Sequence, residues 1–452
     1  MIKKTTLEEW IKKRIGVSPS RALTRQMIED YQLEILKALV DRVKKQSRYY
    51  PKKLAGFNAS DIEALSDLAM LPFTTPDDLI KGQEDFACVS KGRISRVTTL
   101  PTSGTTGSPK RIFYTAEDQE ATIDYFRCGM SNLIGEKDRV LILLPGKLPG
   151  SVGDLLKTAL ARMGALGISH GPIEDPEQTL RTIVSDKINA IVGMPIQVML
   201  LLRSTQSLPH PAIHIKSILL VSDYVAQTII DEVKAQWQCD VFTHYGMTET
   251  GLGVGVQCGA FSGYHLREAD LLVEIIDPET GLRKTDGEYG EVVVTTLTAR
   301  GMPLIRYRTG DVSRLLPIPC ACGSIIRSLD KIVDRIKPRV RLCGGNELSM
   351  GIFDEALFAF PWITDFSVCA DALDSHERLT VSLYTNKLPG RSRLDEVKKT
   401  IMAIPRIKEE IVSNDLQIEV HTEPERIHHG VSKRTVKDNR DVFSKTRCCI
   451  LN

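Results

Sequence analysis

Between residues 24 and 43 the apolar positions Ile28, Tyr31, Ile35, Leu36, Leu39 and Val43 recur at helical spacing, so an amphipathic helix is expected early in the chain. Residues 140–144 form an unbroken apolar run suited to a strand covered on both faces, and residues 154–163 read as the helix that follows it. The order returns twice, with a strand at 190–192 before a helix over 196–203, and a strand at 218–221 before a helix over 225–237. Strand–helix alternation of this kind predicts parallel sheets flanked by helices. Residues 271–276 and 291–296, on either side of Asp277-Pro278-Glu279-Thr280-Gly281, read instead as antiparallel strands. Beyond residue 337, strands over 366–369, 379–384 and 416–420 and a helix over 394–402 describe a small α+β portion. The expected fold class is α/β, with a large N-terminal domain over 1–336 and a small α+β domain over 337–452.

Length agrees with this division, because 452 residues exceed what one compact core holds. Lysine plus arginine number 59 against 57 acids, a balance that argues against a surface dedicated to nucleic acid. No apolar run approaches membrane-spanning length. Met1-Ile2-Lys3-Lys4 leads into a mixed-charge amphipathic segment rather than a basic-then-apolar leader, so a cytosolic protein is expected. In that compartment the ten cysteines are expected to be thiols or metal ligands rather than disulfides.

Candidate chemistry starts at Thr102-Ser103-Gly104-Thr105-Thr106-Gly107-Ser108-Pro109-Lys110. Glycines let backbone N–H groups converge on an anion, hydroxyls add donors, and lysine brings a mobile positive charge. The loop lacks the adjacent Gly-Lys-Ser/Thr ending of a Walker A motif. It reads as a cradle for a nucleotide triphosphate, with a flexible polar turn as the alternative.

Four further stretches follow in order: Tyr245-Gly246-Met247-Thr248-Glu249, Arg306-Tyr307-Arg308-Thr309-Gly310-Asp311, Asp334-Arg335-Ile336-Lys337 and Ser432-Lys433-Arg434. With the first loop, they resemble the signature motifs of the adenylate-forming superfamily of acyl-CoA synthetases. Leu71-Pro72-Phe73-Thr74-Thr75 and Asp438-Asn439-Arg440 are similar to segments of its phenylacetate-CoA ligase branch.

The resemblance implies an ATP-dependent acid:CoA ligase that makes an acyl-adenylate and then a thioester. Its ligands would be ATP, Mg²⁺, coenzyme A and a small carboxylic acid, with aryl or arylacetic acids suggested by the branch. Ser103, Thr105, Thr106 and Lys110, with the backbone of Gly104 and Gly107, would hold the β and γ phosphates. Thr248 would donate to the α-phosphate and Glu249 would ligate Mg²⁺; a strand-end hydroxyl and a helix cap are the alternatives. Tyr245, followed by Gly246, would stack on adenine, and Ser222, Asp223 and Tyr224 would line the base. The branch usually carries a small residue and then glutamate there, so a strand-to-helix turn stays open for those three. Asp311 would accept both ribose hydroxyls, a fitting task for a carboxylate, and Arg335 would reach the ribose or phosphate. Lys433 would assist adenylation, with Arg434 as its competitor. Lys337 would be the hinge about which the C-terminal domain turns, or a plain surface lysine. The acid pocket would lie near Tyr224, Tyr245 and residues 251–256. Transfer to a carrier-protein thiol or an amine, and a non-catalytic nucleotide-binding protein, remain alternatives, and monomer and homodimer stay open.

Cys258, His265, Cys320 and Cys322 make a second constellation of three thiols and one imidazole. That set suits a closed tetrahedral Zn²⁺ site with a structural role; the alternative is ordinary small buried residues. Cys448 and Cys449 read as part of a frayed tail, Cys343-Gly344-Gly345-Asn346 as the loop after the hinge, and His170 as a turn residue.

Overall fold

A computed structural model describes residues 2–100, 109–205, 213–336, 339–372, 377–385, 388–414, 416–423 and 434–440. The chain divides into two compact units, one of Met1–Ser169 with Phe242–Val333 and one of His170–Val241 with Asp334–Asn452.

In the first unit the expected early helix spans Arg25–Gln46, and the Thr24 hydroxyl accepts from the Met27 N–H at 3.3 Å to close its first turn. Strands Arg139–Ile142 and Leu166–Ser169 pair in parallel, joined by helix Val152–Ala161. Val140, Leu141 and Ile142 are fully buried, as the unbroken apolar run requires. Leu271–Ile276 pairs antiparallel with Gly290–Thr296, which pairs in turn with Tyr307–Ser313. A second antiparallel set runs from Asp240–Tyr245 through Gly255–Val256 and Tyr264–Leu266 to Ser328–Leu329.

The segment around Phe73 is fixed to the strand Tyr307–Ser313 from both sides of the chain. Thr74 N–H donates to Arg306 C=O at 3.1 Å, and Arg308 N–H donates to Thr74 C=O at 2.9 Å. Arg306 is buried with φ 47°. Its guanidinium bridges Glu274 and the carbonyls of Ala69 and Leu71 and lies 4.0 Å from the centre of the Phe73 ring. Two stretches more than two hundred residues apart are thus joined by a satisfied buried cation.

In the second unit Ala190–Gly193 and Ser217–Leu220 pair in parallel, with helix Pro195–Thr205 between them. The helix expected over 225–237 begins at Gln227, because Ser222, at φ 75°, turns the chain and the Glu355 carboxylate accepts the Gln227 N–H at 3.1 Å from each oxygen. The C-terminal sheet centres on antiparallel Asp365–Ala372 and Glu377–Tyr384, flanked in parallel by Lys437–Asp438 and Gln417–Glu423. Helices Met350–Leu357, Arg391–Met402 and Pro405–Asn414 complete the α+β portion. Among the described residues no helix is long and apolar enough to cross a membrane.

Candidate nucleotide site and metal centre

Strand Asp240–Tyr245 ends in a turn that feeds two polar contacts within the first unit. Tyr245 donates its hydroxyl to Asp311 Oδ2 at 2.8 Å, and the Asp311 N–H donates to Thr309 Oγ1 at 3.0 Å. Both residues are buried. Gly246 has no room for a side chain: a Cβ would lie 2.4 Å from the Leu252 carbonyl oxygen and 2.6 Å from His244 Cε1. Thr248 and Glu249 follow in a 3₁₀ turn, and the Thr248 carbonyl accepts from the Tyr114 hydroxyl.

Glu249 forms an ion pair with Lys110, and the Tyr307 hydroxyl joins them, 3.0 Å from Glu249 Oε1 and 3.2 Å from Lys110 Nζ. Burial alone would push the Glu249 carboxyl up. The Lys110 ammonium, with the Tyr307 hydroxyl, more than reverses this and holds it below the usual carboxylate range. Tyr307 sat inside the Arg306–Asp311 motif without a role of its own, and its period-2 strand position is the signal that sends its side chain opposite to Arg308. Ser103, Gly104, Thr105, Thr106, Gly107, Lys337 and Lys433 lie outside the described residues.

In the second unit Ser222, Asp223 and Tyr224 form the strand-to-helix turn that the sequence left open. Tyr224 donates its hydroxyl to Glu355 at 2.8 Å, and Arg335 lies in the short strand Asp334–Arg335. The Arg434 side chain is buried: its guanidinium pairs with Asp354 and with Asp365 at 3.1 Å, and the Arg434 backbone N–H donates to Asp223 Oδ2 at 3.4 Å. The rings of Phe358 and Phe366 lie 5.0 and 4.8 Å from it.

Three carboxylates facing one guanidinium favour retention of a proton. Burial first, and the charges of Asp223 and Asp365 next, push Asp354 up to about 7 against the pull of Arg434. Its native value exceeds the unfolded one, so the stability it contributes is complete below the unfolded value and is lost as pH rises through about 7. Thermal melts between pH 4 and 8 are expected to flatten in Asp354→Asn relative to the parent. Arg434→Met leaves the aspartates buried without their cation and is expected to cost about 3–5 kcal/mol.

Cys258, His265, Cys320 and Cys322 come together in the first unit, all buried, with ligand atoms within 4.8 Å of one another. Cys258 Sγ lies 3.7 Å from Cys320 Sγ, and Cys322 Sγ lies 3.4 Å from His265 Nε2. Bond lengths of about 2.3 Å to sulfur and about 2.05 Å to nitrogen at a tetrahedral centre give ligand separations of about 3.8 and about 3.6 Å. The set therefore fits Zn²⁺ with little movement. His265 Nδ1 contacts Ser328 Oγ at 3.3 Å, across the register of strands Tyr264–Leu266 and Ser328–Leu329, and this orients the ring. The Ala260 N–H donates to Cys258 Sγ at 3.4 Å, and Glu8 accepts from Ser324 and Ile325 at 2.7 and 2.9 Å, tying helix Leu7–Arg14 to the chain after Cys322.

Residues 45–300 match the AMP-binding enzyme family. The chain is similar to a phenylacetate-coenzyme A ligase of Aromatoleum evansii, 28% identical over 409 residues that cover 85% of this chain and 88% of that protein. A phenylacetate-coenzyme A ligase of Escherichia coli K12 is 27% identical over 299 residues, covering 65% of this chain and 67% of the relative. A crystal structure of 2-hydroxyisobutyryl-CoA ligase in the postadenylation state shares the fold with TM-score 0.77 and 17% identity over 95% of each chain. An anthranilate CoA ligase with anthranoyl-AMP superposes with TM-score 0.53 and 18% identity, over 72% of this chain and 63% of the other.

Proposed function

The chain belongs to the AMP-binding enzyme family, and from that premise we propose an ATP-dependent carboxylic acid:coenzyme A ligase acting through an acyl-adenylate. A carboxylate oxygen of the acid attacks the α-phosphorus of ATP, the bond to the bridging oxygen breaks, and pyrophosphate leaves. The coenzyme A thiol then attacks the acyl carbon, loses its proton, and displaces AMP.

One observation carries the reading. A single short stretch, Tyr245 to Glu249, delivers a hydroxyl to Asp311 and a carboxylate to Lys110. Asp311 takes the ribose hydroxyls, beside Tyr245. Lys110 exchanges Glu249 for the β and γ phosphates and works with Ser103, Thr105, Thr106 and the backbone of Gly104 and Gly107. Glu249, its side chain largely buried and held ionised, fits the single carboxylate that Mg²⁺ takes beside phosphate oxygens. Mg²⁺ would supply positive charge against the leaving pyrophosphate. Thr248 donates to the α-phosphate.

Arg335 contacts the ribose or phosphate, and Ser222, Asp223 and Tyr224 stand at the base. With Arg434 already engaged by aspartates, Lys433 is the cation we assign to adenylation. Residues from 337 onward turn about Lys337 between the two half-reactions. Cys258, His265, Cys320 and Cys322 hold one structural Zn²⁺, a set that agrees with thiols kept reduced in the cytosol. The named relatives favour an aryl or arylacetic acid.

Product analysis tests the proposal: ATP, magnesium, coenzyme A and a panel of aryl and arylacetic acids should yield AMP, pyrophosphate and a thioester. AMP release at the same rate without coenzyme A, or with an amine in its place, would move the acceptor elsewhere.

A further inference from the structure

Beside the turn after Tyr245 stand two polar atoms that the nucleotide reading leaves unused. His244, the residue before Tyr245, has its Nε2 shut away from solvent with no hydrogen-bond partner among the described residues, and so does the hydroxyl of Tyr125. Their rings lie 6.3 Å apart between centres, tilted by 46°. Tyr125 comes from helix Ala116–Met130, whose Thr122 hydroxyl donates to the Gly251 carbonyl at 3.1 Å and so holds the same turn. Leu252 sits in that turn at φ 67°, a left-handed conformation uncommon for a branched side chain. Gly253 packs so closely on Tyr125 that a Cβ would lie 2.2 Å from ring atom Cε1.

Among the described residues neither polar atom has a hydrogen-bond partner. Each orphan weakens its state by a factor of roughly ten to a hundred relative to a bonded one. Next to them Ile123, Leu155 and Ala159 form a buried apolar cluster, with Phe126 and Leu252 packed against it. Arg267 lies 4.8 Å from the centre of the Tyr125 ring and shares the Asp270 carboxylate, 2.6 Å away, with Arg14. Burial keeps the His244 imidazole neutral, down to about 4. His244 therefore brings no positive charge to receive a second carboxylate.

We infer that the acid accepted here carries a neutral hydrogen-bonding group, a hydroxyl or an amine, bound by His244 Nε2 and the Tyr125 hydroxyl, on a carbon skeleton lying against Ile123, Phe126 and Leu252. The inference rests on the ligase reading above and adds the class of acid. A hydroxyl or an amine can both donate and accept, so it pairs with either imidazole tautomer and with the tyrosine. An unsubstituted acid leaves both protein atoms orphaned in the bound complex, and the site discriminates against it.

The test is acid-dependent ATP–pyrophosphate exchange with the full-length protein on matched pairs: phenylacetate with its ring-hydroxylated isomers, benzoate with its hydroxy and amino isomers, and butanoate with its hydroxy isomers. At least one substituted acid is expected to exceed its parent in kcat/KM by roughly tenfold or more. The near-isosteric Tyr125→Phe, and separately His244→Leu, should bring that ratio toward one. The ratio is internal to each variant, so partial misfolding cannot imitate the result. Parents that match or outrun all their substituted partners in the unaltered protein, or a ratio unchanged in both variants, would overturn the inference and leave the two atoms to internal water. Exchange with no acid at all would overturn the ligase reading itself, and this inference with it.

Discussion

Replacing Glu249 with glutamine is expected to lower acid-dependent ATP–pyrophosphate exchange by about two to three orders of magnitude, the scale seen when one preorganised electrostatic group is removed from a site of developing charge. Glutamine keeps the shape and the contact with the Tyr307 hydroxyl but removes the negative charge that pairs with Lys110. The ammonium stays in place with less to neutralise it, and the carboxylate proposed to ligate magnesium is gone. The magnesium concentration needed for half-maximal exchange should therefore rise along with the loss of rate. A thermal melt separates this from damage to the fold: breaking a buried ion pair costs some stability, but a folded variant at the assay temperature should still show the defect. Exchange within twofold of the parent at saturating magnesium would remove Glu249 from the chemistry.

The second large effect concerns the cysteine–histidine cluster. Protein purified without chelator is expected to hold one zinc per chain by elemental analysis, and Cys258→Ser to hold much less. The four ligands come from three separate stretches of the first unit, so the ion would cross-link them as a disulfide would. Losing a cross-link of that kind costs about 2–5 kcal/mol, or roughly 2–5 °C in melting temperature for a chain of this size. A chelator at raised temperature should reproduce the shift, and added Zn²⁺ should restore it. Zinc-free protein with an unshifted Cys258→Ser melt would return these residues to ordinary core packing.

What the chain order revealed was whatever its local chemistry encodes. Strands Leu271–Ile276 and Gly290–Thr296 were legible because a turn sequence separates two β-rich runs, and the parallel pairs because their strands are apolar throughout. Helix Ala116–Met130 was passed over although its capping box is written in the sequence, with Thr115 and Asp118 bonding each other's backbone N–H. Helix Pro405–Asn414 was missed because a proline looks like a breaker, whereas at a first turn it is tolerated. The short strands around His265 had no local signal, since their register follows from pairing across distant segments.

The candidate site divides in the same way. Motifs exposed Glu249, Lys110, Tyr245 and Asp311 because glycine and polar residues cluster there. That Arg434 is taken up by aspartates was beyond one-dimensional reading, because only the fold places three of them around it. Tyr125 and His244 were equally hidden. Nothing in an isolated tyrosine or histidine says that its polar atom ends up buried without a partner.

The central claim is that an acid oxygen bonds to the α-phosphorus of ATP, and isotope transfer tests it most directly. An acid that supports exchange, labelled with ¹⁸O in its carboxylate, should be incubated with ATP, magnesium and coenzyme A, and the AMP analysed by mass spectrometry. The account predicts one ¹⁸O in the AMP phosphate for each thioester formed. Label-free AMP, or ADP with the label in inorganic phosphate, would contradict it.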